Sequence, residues 1–230
     1  MRLDKYLCES IDLTRAEAKR LLKGGEVTCD GEVVKNPGFK VADNCNVQME
    51  GHNLQPVGLR YVMIYKPEGC ICSTVGDQDY PSVLELLEME KIDRLGICGR
   101  LDVDTTGLVL VTDDGQWSHR ITSPQKKCGK RYRVELADPV DASAIEQFAE
   151  GIMLASEYKP TRPAELEIIS DHEVLLTIHE GKYHQVKRMF AAIGNKVVGL
   201  HREQVGEIEL DEDLEPGEWR YLTEAEVASV

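Results

Sequence analysis

Two apolar runs, Leu95 to Leu101 and Leu108 to Val111, enclose a short stretch dense in Asp and Thr, and that juncture limits the chain more than any other part of it. Their length and branching read as buried strands. A charged loop, Asp102-Val103-Asp104-Thr105-Thr106, is thus held between two strands. Asp and Thr often serve only the turn itself, because their side chains bond nearby backbone groups. Asp113-Asp114-Gly115, just after the second run, reads as such a turn, so Asp102, Asp104, Asp113 and Asp114 are not taken for a metal site, which needs several converging oxygens.

A chain of 230 residues has room for a catalytic domain and a small accessory one. Seven cysteines, an odd number with no Cys-x-x-Cys pair, fit neither a disulfide framework nor a zinc site and are expected as reduced thiols. The start of the sequence has no apolar signal region and no apolar run reaches a membrane span, so a soluble, cytoplasmic monomer without a membrane partner is expected. The net charge of −14 argues against a nucleic-acid partner until its distribution is considered. Gln116 to Val134 holds no acid but carries Arg120, Lys126, Lys127, Lys130, Arg131 and Arg133, and Gly181 to Arg202 holds none against Lys182, Lys187, Arg188, Lys196 and Arg202. From Glu203 to Glu226, by contrast, ten acids face the single Arg220. Separated blocks predict a basic face that could steer RNA; otherwise these cations balance acids within the fold.

Residues 1–50 read as a separate unit. Leu3, Tyr6 and Leu7 have helical spacing, and Thr14 with Glu17 forms a capping box for a second helix that stops at Gly24-Gly25. Arg15, Lys19 and Lys23 make a cationic stripe on it, and Ala18, Leu21 and Leu22 a packing side. Asp30-Gly31 then predicts a tight hairpin, followed by a strand from Asn46 to Met49. Residues 51–60, polar and without period, read as a linker.

From 61 to 230 the pattern predicts an α+β domain on a mixed, mostly antiparallel sheet with flanking helices. Tyr61 to Tyr65 is a strand, after which Lys66-Pro67 reads as a solvated turn, and Ser82 caps a helix through Glu90. In the strand Lys130 to Val134, Tyr132 points opposite to Arg131 and Arg133. Ile145, Phe148 and Ile152 mark a helix, and Ala164 to Ile169 with Val174 to His179 a hairpin. Val186, Met189, Phe190 and Ile193 give the next helix a core face, leaving His184, Lys187 and Arg188 on its polar side. A last strand at Lys196 to Leu200 and a capping box at Thr223 and Glu226 close the chain.

Several motifs resemble one family. Gly99-Arg100-Leu101-Asp102-x-x-Thr105-x-Gly107-Leu108-x-Leu110-x-Thr112 resembles the active-site segment of the RNA pseudouridine synthases of the RsuA and RluA type. Lys66-Pro67, Lys130-x-Tyr132-x-Val134 and Glu180-Gly181-x-x-x-Gln185-Val186-Lys187-Arg188-Met189 resemble its other motifs. The resemblance implies that Asp102 is the catalytic carboxylate, that the Tyr132 ring lies against the target base, and that Lys187 sits beside Asp102. It further implies that Arg100 contacts the flipped nucleotide or fills its space and that Arg188 lies further toward RNA; Lys66, read as a solvated turn before Pro67, is left outside the chemistry. The first fifty residues resemble the S4 RNA-binding domain, making Arg15, Lys19 and Lys23 RNA contacts, joined by Lys130 and Arg131. Isomerising uridine oxidises nothing and releases no group, so no cofactor is expected. Likeness to the RsuA branch over nearly the whole chain implies a uridine of 16S ribosomal RNA, free or within an assembling small-subunit particle. A 23S target, as in the RluB, RluE and RluF branch, is the alternative. Two rivals from other classes are an RNA-binding assembly factor without catalysis, and a glycoside hydrolase whose carboxylate pair is Asp102 and Asp104.

Overall fold

The computed structural model describes residues 1–11, 13–126 and 128–230, so Lys127 of the basic block lies outside the described residues. They form two compact units, Met1–Leu59 and Arg60–Val230.

In the first unit, helix α1 (Leu3–Ser10) and helix α2 (Arg15–Gly24) pack Leu3, Leu7, Ala18 and Leu22 against Val27 and Val47 of a small sheet. The capping box of Thr14 and Glu17 is present, and Gly25 ends α2 in the left-handed region. Strand β1 (Val27–Cys29) turns through Asp30 and Gly31, both at positive φ, into β2 (Glu32–Val33). Strands β3 (Val47–Met49) and β4 (His52–Asn53) complete the order β2-β1-β3-β4. The stretch read as a linker is therefore partly structured. Glu50 and Gly51 take positive φ in a second tight turn, β4 pairs with β3, and Leu54 packs on the core. A two-residue exposed strand has too little apolar periodicity to announce itself.

The second unit carries a sheet in the order β13-β5-β7-β11-β8-β10-β9, with β6 added to β7 and β12 to β11. Its strands are β5 (Tyr61–Lys66), β6 (Gly96–Ile97), β7 (Thr106–Thr112), β8 (Lys130–Leu136), β9 (Glu165–Ser170), β10 (Glu173–Ile178), β11 (Val197–Val205), β12 (Ile208–Glu209) and β13 (Trp219–Tyr221). Only β7 and β11 run parallel; every other pair is antiparallel, the mixed sheet that the pattern predicted. Alternation sorts the core into two layers. Val62, Ile64, Val109 and Val111 join Phe148 of α4 (Ser143–Glu150) and Met189 and Phe190 of α5 (Gln185–Ala192) on one face. Met63, Leu108 and Leu110 meet Trp117 of α3 (Gly115–Thr122) and Val227 of α6 (Glu224–Ala228) on the other. The parallel pair approaches closely at Gly107, where a Cβ would lie 2.3 Å from the Arg202 carbonyl oxygen. No other residue fits there.

Four local expectations differ from what forms. The run Leu95 to Leu101 yields only β6, because the chain turns at Gly99 with φ +94°. Ser82 caps a single 3₁₀ turn, Val83–Leu86, rather than a helix to Glu90. Ile145 of α4 is exposed and Ala144 is buried in its place. Asp113 and Asp114 are more than a turn: Asp113 accepts from the buried Arg60 guanidinium at 2.9 Å, and Asp114 caps α3 through the amides of Gln116 and Trp117. Among the described residues no helix is long and apolar enough to cross a membrane.

Candidate active site

Residues 99–105 form the loop between β6 and β7 and are gripped from the core side. The Arg202 guanidinium, almost wholly buried, donates to the carbonyls of Gly99 at 2.9 Å and Leu108 at 2.8 Å. Lys66 is 0% exposed, and its Nζ donates to the carbonyls of Thr105 at 2.8 Å, Pro67 at 2.9 Å and Val103 at 3.3 Å. Burial pushes that ammonium below its ordinary value. Lys66 is thus not at a solvated turn. It follows Val62 and Ile64 at strand period, so it points into the core layer, and three carbonyls there take the place of water.

The loop's acids face the other way. Asp102, with 30% of its side chain exposed, has Oδ2 3.2 Å from Lys187 Nζ and Oδ1 3.3 Å from His184 Nε2. The same Lys187 Nζ lies 2.7 Å from Asp104 Oδ1. Burial opposes the charge on Lys187, but its bonds to Asp104 and Asp102 prevail and hold the ammonium above the usual lysine value. The bond from Lys187 likewise holds the Asp104 carboxyl below the usual carboxylate range. Asp104, held low by Lys187, does not fit the general acid that a glycosidase pair requires. A single carboxylate bonded at one oxygen, with an imidazole beside the other and solvent on one side, can act on one atom of a docked substrate.

α5 supplies both partners. Val186, Met189 and Phe190 bury its apolar face, leaving Lys187 beside the loop. His184, just before the first turn, has φ +46° and ψ +39°, a left-handed conformation uncommon for a residue with a side chain.

Tyr132 lies cross-strand from Arg202 on the core face, 7% exposed, its hydroxyl 3.5 Å from Arg202 Nη1. Arg202 therefore ties Tyr132 to the loop at Gly99. At 7% exposure little of the ring is open to a ligand. Arg100 is exposed, and among the described residues its guanidinium has no ion pair. Lys19 and Lys23 are exposed on α2, while Arg15 lies 3.3 Å from the buried Asp4, whose carboxyl is held low chiefly by its bond with Arg2.

Three expected RNA contacts are committed elsewhere. Lys130 is 8% exposed and its Nζ donates to the carbonyls of Cys128 and Ile121. Arg131 lies 3.4 Å from Glu203 and 3.6 Å from Glu209, on the sheet face away from Tyr132. Arg188 donates to Glu157 and to the carbonyls of Tyr183 and Ala155, which pins the 155–157 loop to α5. Part of the basic blocks thus balances acids and carbonyls inside the fold. Sequence reasoning missed His184, Asp104, Lys66 and Arg202 as parts of the site. For Lys66 a signal existed in the strand period; for Arg202 none did, because a buried guanidinium has no local signature. Among the described residues no group of three or more His, Cys, Asp or Glu is clustered to hold a metal.

Residues 60–192 match the family described as RNA pseudouridylate synthase, and residues 1–44 match the S4 domain. Over its whole length the chain is 59% identical to the ribosomal small subunit pseudouridine synthase A of Vibrio cholerae serotype O1, covering 99% of that protein. It is 54% identical over 231 residues to the protein of the same name from Escherichia coli K12, with both chains fully covered. A solved structure described as a pseudouridylate synthase superposes with a TM-score of 0.72 at 49% identity, covering 100% of this chain and 99% of the other.

Proposed function

The chain belongs to the RNA pseudouridylate synthase family, and from that premise we propose that it isomerises a uridine of small-subunit (16S) ribosomal RNA, with Asp102 acting on the ribose. In this reaction the bond from N1 of uracil to C1′ breaks and a bond from C5 to C1′ forms. The proton on C5 is lost and N1 gains one, so no mass is gained or lost. The small-subunit substrate rests on the names of full-length relatives at 54% and 59% identity. The single observation that carries the role of Asp102 is its carboxylate, exposed on one side, bonded at Oδ2 by Lys187 and with His184 Nε2 3.3 Å from Oδ1.

Asp102 attacks C1′ or takes the proton from C2′; either requires the carboxylate within about 3.5 Å of the ribose. Lys187 and His184 supply that orientation. The target base must leave its stack, at a cost of a few kcal/mol in paired RNA. Tyr132 bounds the uracil site from the core side, and Arg100 enters the space between nucleotides. Lys19 and Lys23 contact phosphates through the S4 domain, and the protein acts in the cytoplasm as a monomer, on free RNA or an assembling particle.

Asp102→Asn should retain RNA binding and lose tritium release from 5-tritiated uridine in unmodified small-subunit rRNA. Turnover near wild-type by that variant would refute the assignment. Mapping pseudouridine in rRNA from cells lacking the protein tests the substrate: an unchanged small subunit with a missing large-subunit site would move the target.

A further inference from the structure

Beside Asp102 stands an aromatic pair that the reaction as described leaves unused. The rings of Tyr183 and His184 stack with centroids 3.7 Å apart and planes at 23°. Tyr183 is 76% exposed, and among the described residues its hydroxyl has no hydrogen-bond partner. Its backbone is nonetheless fixed. The Tyr183 carbonyl accepts from Arg188 at 3.0 Å, and the Lys182 amide donates to Gln185 Oε1 at 2.8 Å. Lys182 Nζ lies 2.8 Å from Glu157, and Gln185 Nε2 donates to Glu180 at 2.9 Å. An exposed ring on a pinned backbone is a platform, not a mobile side chain.

The strained backbone of His184 serves this arrangement. At φ +46° the imidazole lies between Tyr183, which it stacks on, and Asp102 Oδ1, which it meets at 3.3 Å. One face of the tyrosine is covered by His184 and the other is free to take a flat partner. In an RNA enzyme the flat apolar groups near the reacting ribose are bases, and base–aromatic stacking tolerates any of the four.

We propose that Tyr183, backed by His184, is a nucleobase-stacking subsite that takes a base flanking the target uridine once the strand is splayed open. The subsite rests on the pseudouridine-synthase reading and deepens it. Stacking there orders the strand on which Asp102 acts, and it adds affinity without sequence preference.

The test uses the full-length chain and an RNA fragment around the uridine it converts in small-subunit rRNA. An abasic nucleotide is placed at each flanking position in turn, and wild-type, Tyr183→Ala, Tyr183→Leu and Tyr183→Phe are compared by tritium release. At one flanking position the abasic change should cost wild-type and Tyr183→Phe roughly 5- to 150-fold in kcat/KM, mainly through KM. The same change should cost Tyr183→Ala and Tyr183→Leu almost nothing further. Leu keeps apolar bulk without a π-face, so agreement of the two variants separates stacking from loss of packing. Equal losses in wild-type and Tyr183→Ala at every position would overturn the subsite. Where only an assembling small-subunit particle is converted, the abasic RNA is carried in that particle; absence of tritium release by wild-type from both forms would instead remove the reading beneath it, and the subsite with it.

Discussion

Two lysines reach the loop of Asp102 from opposite sides and hold it by different groups. Lys66 comes from the core, has no exposure, and donates only to backbone carbonyls. Lys187 comes from α5, keeps 27% of its side chain exposed, and meets only carboxylates. The first fixes where the backbone runs; the second fixes where the acids point. Their charges respond accordingly, Lys66 pushed down by burial and Lys187 held up by the two acids against the same effect. A cation near a functional loop can thus serve either its side chains or its backbone. What separates the two is whether it bonds the exposed carboxylates or the chain beneath them.

The comparison can be broken by experiment. Lys187→Ala frees the Asp102 carboxylate while removing little packing, and misorientation of that kind costs about 100-fold in kcat. Its melting temperature should stay within about 4 °C of wild-type, since pairs this exposed add under about 1 kcal/mol. Lys66→Met preserves bulk but leaves buried carbonyls without a donor, a loss of about 1–3 kcal/mol and roughly 2–12 °C in melting temperature. The kcat of its folded fraction should fall less than that of Lys187→Ala. A Lys66→Met protein that is stable but inactive, or a Lys187→Ala protein that melts as low, would erase the distinction.

The smallest effect is expected at Asp104. Its carboxyl is lowered first by the bond from Lys187, so it stabilises the fold above its ordinary value near pH 4, and that contribution is lost as pH falls through the lowered value. With its side chain 55% exposed, Asp104→Asn should cost under about 1 kcal/mol at pH 7, a difference that fades in denaturation curves taken at progressively lower pH. A difference that persists unchanged at pH 2 would mean that the pairing with Lys187 is not its source.

The legible parts of this protein were those whose cause is local. The capping boxes at Thr14 and Thr223, the Asp30-Gly31 turn and the apolar face of α5 follow from neighbours a few positions apart. The motif resemblance added Asp102 and Lys187 as partners, and the geometry brings their charged atoms within 3.2 Å. Less legible was the fate of each cation. Lys130, Arg131 and Arg188 stand in acid-free stretches of sequence, yet Arg131 and Arg188 meet acids from distant segments and Lys130 turns onto carbonyls of its own stretch. Composition along the chain does not report composition in space.

The secondary elements with strong periodicity, the mixed sheet, the family and the pairing of Asp102 with Lys187 could all be read from the sequence. Only the tertiary structure decided that Lys66 and Arg202 grip the loop from within, that His184 shares Asp102, and that Tyr183 stands exposed beside it. Those outcomes depend on contacts between residues from 1 to 103 positions apart, whose energies arise when burial removes water and leaves each polar group to find a partner in the protein.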